Sequence, residues 1–285
     1  MASALLPNRA VIRVGGPDAF NLLQNIVTAD LDTLHPGEAK PSALLTPQGK
    51  ILFDFLISRD GDDALLLDVR TDVVDDLMRR LMLYRLRAKA EISKLEQVVV
   101  GVEWDIDSAT SQNDSTHLRD LRFANREVWR VHAPALDANA GIESYDALRI
   151  AEGVAESGSD YELGDAFPHD VLLDQNGGVG FKKGCYVGQE VVSRMQHRGT
   201  ARRRILIANA DAALPASGTD VIANDRVIGK LGTVAGREAL AMVRIDRVKD
   251  AIDAEMPVLA GSVPLLFTIP PGAKFTFPSN TDESA

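Results

Sequence analysis

Apolar positions along this chain recur with two periods, one of two residues and one near 3.6, and the switching between them outlines the elements. Residues 10–14 read as a short strand. The turn Gly15-Gly16-Pro17-Asp18 then places a proline where a helix can start, and Phe20, Leu23, Ile26 and Val27 follow at helical spacing. Residues 51–58 and 65–69 flank Asp60-Gly61-Asp62, the chemistry of a turn, and predict a hairpin. Thr71 is the expected N-cap of a second helix running to about Leu86, with Val74, Leu77, Met78 and Leu81 on one face, acids early and arginines late.

Strand-like runs at 98–104 and 127–133 bracket a polar stretch, 105–116, that reads as a mobile loop. Residues 144–152 predict a short helix ended by Gly153, and 156–165 a second loop. Beyond Arg202 come short strands separated by turns, at 204–208, 220–223, 227–234, 240–245 and 263–268, which predict a small β-barrel.

With 285 residues, 45% of them apolar, the chain has enough material for more than one core. The expected organisation is α+β, with domains at 1–93, 94–200 and 201–277 and a disordered tail at 278–285. A net charge of -10 repels phosphate backbones at long range, which disfavours general nucleic-acid binding. No apolar run is long enough to span a bilayer, and residues 1–9 lack the order of a secretory signal, so a cytoplasmic protein is expected, as a monomer.

Chemistry concentrates around Cys185, the only cysteine, which excludes a disulfide within the chain and any CxxC metal or redox site. Gly184 and Gly188 frame it, lysines precede it and a helix at 189–197 follows; positive partial charge there favours the thiolate, so Cys185 is a candidate reactive thiol. Lys182, Lys183, Arg194, Arg198, Arg202, Arg203 and Arg204 stand against one acid, Glu190, a local reversal of charge suited to an anionic ligand or an acidic partner. Arg194, one helical turn beyond Glu190, is the expected holder of a ligand carboxylate. The bland readings are a small buried thiol and a solvated basic hinge.

The run Lys183-Gly184-Cys185-Tyr186-Val187-Gly188-Gln189-Glu190 resembles the K-G-C-Y-x-G-Q-E signature of the YgfZ family, relatives of the glycine-cleavage aminomethyltransferase. Gly16-Pro17-Asp18-Ala19, the segment 23–30, Leu45-Thr46-Pro47-Gln48-Gly49-Lys50, Tyr84-Arg85-Leu86-Arg87 and Phe167-Pro168-His169-Asp170 extend the likeness to about residues 5–275. The resemblance implies two α+β portions and a C-terminal barrel ringed around a central pocket. It further implies a tetrahydrofolate ligand and support of iron-sulfur cluster assembly or repair, including clusters of tRNA-thiolating enzymes.

On this reading Cys185 is the functional centre, Lys183 keeps it anionic, and Tyr186, Gln189 and Glu190 fix the loop by hydrogen bonds. Asp54, Tyr84, Arg87, Arg149, Asp170, Gly184, Gly188 and Arg194 complete the expected ligand site, with no metal. The partners implied are iron-sulfur client enzymes or assembly proteins. Two departures stand out: Asp54 is a lone acid where the aminomethyltransferases carry a pair, and in Arg149-Ile150-Ala151-Glu152-Gly153 an alanine takes the place of the pterin-binding glutamate. Three other readings stay open: a true tetrahydrofolate-dependent aminomethyltransferase, a folate-independent docking module, and a thiol hydrolase with His169 or His197 as base.

Overall fold

A computed structural model describes residues 1–105, 116–199 and 201–278. Along the first half run β1 (Ala2–Leu5), β2 (Arg9–Gly15), α1 (Ala19–Gln24), β3 (Glu38–Leu45), β4 (Ile51–Asp60), β5 (Ala64–Arg70), α2 (Val74–Arg85), β6 (Glu91–Lys94), β7 (Val99–Trp104), β8 (His117–Asp120) and β9 (Val128–Ala133). The second half adds α3 (Ile142–Glu152), α4 (Gln189–Arg198), β10 (Arg203–Asn209), β11 (Asp220–Ala223), β12 (Arg226–Ala235), β13 (Glu238–Arg244), α5 (Ile245–Asp253), β14 (Val258–Ala260) and β15 (Val263–Thr268).

The first nine strands form one sheet in the order β1-β7-β9-β8-β3-β4-β5-β2-β6. Its two halves meet where β3 and β8 pair in parallel, Glu38 opposite Arg119 and Ala39 opposite Asp120. β1 crosses into the second half, pairing with β7, so a boundary at 93/94 divides the chain but not the sheet. The last six strands close into a barrel, β10-β13-β12-β11-β14-β15, completed by pairing of β10 with β15. The α+β class with a terminal barrel is as expected.

Helix α2 corrects one detail. Thr71 lies in a one-turn 3-10 segment, the N-cap is Val73, and no side chain caps the helix. Gly153 does end α3, in the left-handed region at φ 72. The segments expected to be a mobile loop and a frayed tail fall almost wholly on 106–115 and 279–285, outside the described residues.

A buried ionic chain ties the half-sheets together. Arg9 Nε on β2 lies 2.6 Å from Asp68 Oδ1 on β5, and Arg130 Nε on β9 lies 3.3 Å from Asp68 Oδ2. Arg122 Nη2 reaches Asp120 Oδ2 at 2.7 Å, and its Nη1 reaches Glu156 Oε1 at 3.2 Å. Burial pushes the Asp68 carboxyl up, but Arg9 and Arg130 outweigh it and hold the group well below the usual carboxylate range. Charges removed from water this completely persist only because each has a partner.

Candidate functional site

The Cys185 loop is pinned on both flanks. Gly188, at φ 81, opens α4, and a Cβ there would lie 2.6 Å from the Thr46 carbonyl oxygen and 3.0 Å from Gly49 Cα. Gly49 reciprocates, since its own Cβ would sit 2.9 Å from Val191 Cβ. Turn 46–49 and the start of α4 are therefore packed backbone against backbone, which only glycine permits. Tyr186 is buried with Ala43, Leu45, Ile51 and Val192, and burial pushes its hydroxyl up to about 12. Its side chain contributes packing, because the hydroxyl makes no hydrogen bond among the described residues, while its carbonyl accepts from Gln189 N at 3.3 Å.

Lys183 anchors the other flank, but not as the sequence suggested. Its Nζ donates to the carbonyls of Val27 at 2.8 Å and Ala29 at 2.7 Å. Burial lowers this amine to about 8, against the pull of Asp30 and Asp32. The ammonium is thus a tether to the segment after α1, and its hydrogen bonds do not go to Cys185. Between these anchors Cys185 is free and exposed, and Gly184 has open space around its Cα.

Three arginines of the basic run 182–204 pair with acids of the chain. Arg194 Nη2 pairs with Glu190 Oε1 at 2.7 Å on the outer face of α4, both side chains well exposed. Gln189 simply begins that helix. Arg203 bonds Asp165 and Asp170, each at 2.7 Å, and Arg204 reaches Asp174 at 2.6 Å, so these two fasten the barrel to the middle of the chain. His169 Nε2 faces Gln196 Oε1 at 3.2 Å, and burial lowers its ring.

The central cavity is a separate place. It is an open cleft whose cavity proper holds about 80 Å³, built from all three parts: Asp54 and Phe55 on β4, Arg122, Glu152 and Gly153 at the end of α3, Leu172, and Pro270 after the barrel. Asp54 accepts from Ser157 Oγ at 2.6 Å. Neither Cys185 nor Arg194 lines it. Tyr161, Val171 and Leu173 belong both to its wall and to the apolar cluster holding Tyr186, so this cluster lies between cavity and thiol loop.

Four expected ligand residues are elsewhere. Tyr84 packs on the core under α2, and Arg87 is exposed beyond that helix. Arg149 is buried, Nη1 donating to Val154 O at 2.9 Å and to Asp160 at 2.8 Å, Nη2 to Asp146 and Thr233, while its Nε has no partner among the described residues. Asp170 accepts from Arg203 and from Phe167 N at 3.0 Å. These are the buried bonds of a scaffold.

Sequence reasoning missed Glu152. Ala151, in the expected place of a glutamate, points outward, whereas Glu152 one residue on lines the cavity. Burial raises its carboxyl, Arg126 opposing, and it makes no hydrogen bond or salt bridge among the described residues. The signal was present as the acid beside the alanine; what was lacking was the rotation of α3 that decides which of the two faces inward.

Comparison with known proteins sharpens this picture. Residues 202–275 match the family described as CAF17, C-terminal beta-barrel domain. The glycine cleavage system aminomethyltransferase T of Bartonella henselae superposes with a TM-score of 0.71 over 93% of this chain and 84% of that one; at 16% identity this shows a shared fold. The chain is 30% identical to the iron-sulfur cluster assembly factor IBA57, mitochondrial, of Mus musculus, over 86% of its own length and 78% of the mouse protein. It is 36% identical to the homologue of Pyricularia oryzae, of which it spans 55%. The cytoplasmic expectation is overturned by these relatives, which are named mitochondrial. The likeness read as YgfZ-type narrows in the same way, and by identity and coverage this chain belongs to the family of the iron-sulfur cluster assembly factor IBA57.

Proposed function

We propose that this chain is an accessory factor in building or repairing iron-sulfur clusters, tRNA-thiolating enzymes among those served, with Cys185 as the group that meets the cluster or the partner carrying it. The observation that supports this is the loop itself. A lone thiol stands exposed between Lys183, tethered to two carbonyls, and Gly188, locked into turn 46–49. Rigid flanks around an exposed nucleophile preorganise it for a partner at little entropic cost. One cysteine leaves most ligand positions of a cluster unfilled, so the remaining ligands come from the partner and the cluster is cargo.

The cavity suits a tetrahydrofolate-type ligand on its own chemistry. Phe55 and Leu172 give apolar walls, and Glu152 is an unused acceptor for the N–H edge of a pterin. Asp54 supplies a second acceptor. Bound there, such a ligand brings one-carbon chemistry, and the chain's part is to hold its ring by these two carboxylates. The ligand and the thiol would then act on opposite sides of the Tyr161–Tyr186 cluster.

The test is complementation of a strain lacking this protein. Cys185→Ala, folded as wild type by circular dichroism, should fail to restore iron-sulfur enzyme activity. Full restoration would remove the thiol from the function.

A further inference from the structure

Tyr84-Arg85-Leu86-Arg87 stands out in the sequence, and neither the cavity nor the thiol loop uses it. It forms the C-terminal end of α2. Tyr84 packs against the core, which fixes the rotation of the helix and turns the next face to water: Met82 is 48% exposed, Leu83 67% and Leu86 86%. These three are neighbours at helical spacings of three and four, so they form one apolar patch. Leu86 also ends the helix at φ 43, in the left-handed region where glycine is the usual residue. A branched apolar side chain is thus held out in solvent on strained backbone, which costs stability and gains nothing within the chain.

Along the stretch that carries the patch the charge is of one sign, with acids only at its borders: Asp76, Glu91, and Asp18, whose carboxylate accepts from Lys89 N at 2.7 Å. From 77 to 90 the sequence carries Arg79, Arg80, Arg85, Arg87 and Lys89 and no acid, in a chain of net charge -10. Arg79 pairs with Asp76 and Arg85 donates to Ala90 O, whereas Arg80 and Arg87 make no side-chain hydrogen bond or salt bridge among the described residues. Directly after the patch comes β6, the outer strand of the nine-stranded sheet, with one backbone edge open.

We propose that this end of α2 docks an acidic segment of a partner protein, whose apolar side chains cover Met82, Leu83 and Leu86 and whose carboxylates meet Arg80 and Arg87. A partner protein fits better than a bilayer. An extended anionic surface faces the whole acidic molecule and is repelled by it, while a short segment feels only charges within about 10 Å. The surface belongs to the core cluster under α2, distinct from the cluster that carries Tyr186, and the proposal stands whether or not Cys185 meets a cluster.

The test uses the full chain, a fluorescein-labelled amphipathic peptide of leucine and glutamate, its isomer with lysine for glutamate, and phosphatidylcholine vesicles containing phosphatidylserine. The acidic peptide should bind saturably at low salt and the lysine isomer should not. Leu83→Ser should weaken binding about tenfold, the loss expected for leaving one leucine uncovered. Arg80→Glu with Arg87→Glu should weaken it about as much and flatten its salt dependence. All three side chains point to water, so unchanged circular dichroism and Tm certify the fold. Absence of saturable binding, equal binding by the variants, or preference for the vesicles would overturn the proposal, the last by assigning the patch to a membrane surface.

Discussion

The two glycines that frame Cys185 look alike in sequence and should respond very differently to alanine. At Gly188 an added Cβ would meet the Thr46 carbonyl oxygen at 2.6 Å, Gly49 Cα at 3.0 Å and Leu45 Cβ at 3.1 Å. The first two are backbone and cannot rotate away. The φ of 81 adds the left-handed penalty of about 1–2 kcal/mol for alanine. Displacing packed backbone costs about 1–3 kcal/mol more, so Gly188→Ala should lose about 2–5 kcal/mol. At about 2–4 °C per kcal/mol for a chain somewhat smaller than this one, Tm should fall by about 5–15 °C. At Gly184 nothing lies within 4 Å and φ is not positive, so Gly184→Ala should stay within about 0.5 kcal/mol. Thermal unfolding gives both values, and the rate of Cys185 alkylation by iodoacetamide reports whether the loop has moved. A Gly188→Ala protein as stable as wild type, or a Gly184→Ala protein equally damaged, would refute the interlock with turn 46–49.

Asp68→Asn leaves buried Arg9 without its carboxylate and removes one of the acids around buried Arg130, which keeps Asp120 at 3.3 Å, and should cost about 3–5 kcal/mol at pH 7. Because the folded carboxyl sits below its unfolded value of about 3.9, its stabilisation is complete above that pH and lost below it; the gap between wild type and variant in urea unfolding should shrink by about 1 kcal/mol per pH unit under about pH 4, and a constant gap contradicts the ion chain. Lys183, held at about 8, releases its proton from the folded state first, so stability should rise as pH climbs from about 8 toward about 10, a rise that Lys183→Met abolishes. Glu152→Gln should weaken tetrahydrofolate binding in calorimetry about tenfold while Arg194→Ala leaves it within about twofold; the opposite order would move the ligand onto α4.

Elements whose burial is local were legible in the sequence. Strands β2, β4 and β5, helices α3 and α4 and five of the six barrel strands carry their own alternation, helical spacing or glycine stop, so the chain announces them without its neighbours. Elements defined by a partner were not. β1 and β8 exist because β7, β9 and β3 lie beside them; β3 itself is buried almost throughout and shows no alternation. α5, with the barrel behind its apolar face, was likewise passed over.

The site divides along the same line. An eight-residue motif around a lone cysteine is a local fact, and its glycine-opened helix followed from residue types alone, whereas the exposure of the thiol is decided by the fold. Which cations answer to which anions is a property of distance through space. Only the tertiary structure turned Lys183 toward Val27 and Ala29, spent Arg149 and Asp170 on scaffold bonds, left Arg194 on the outer face of α4, and rotated α3 so that Glu152 rather than Ala151 faces the cavity. Residue chemistry is written position by position, but a charge acquires its role from what lies within a few ångströms of it, and in this chain those neighbours are often more than a hundred residues away.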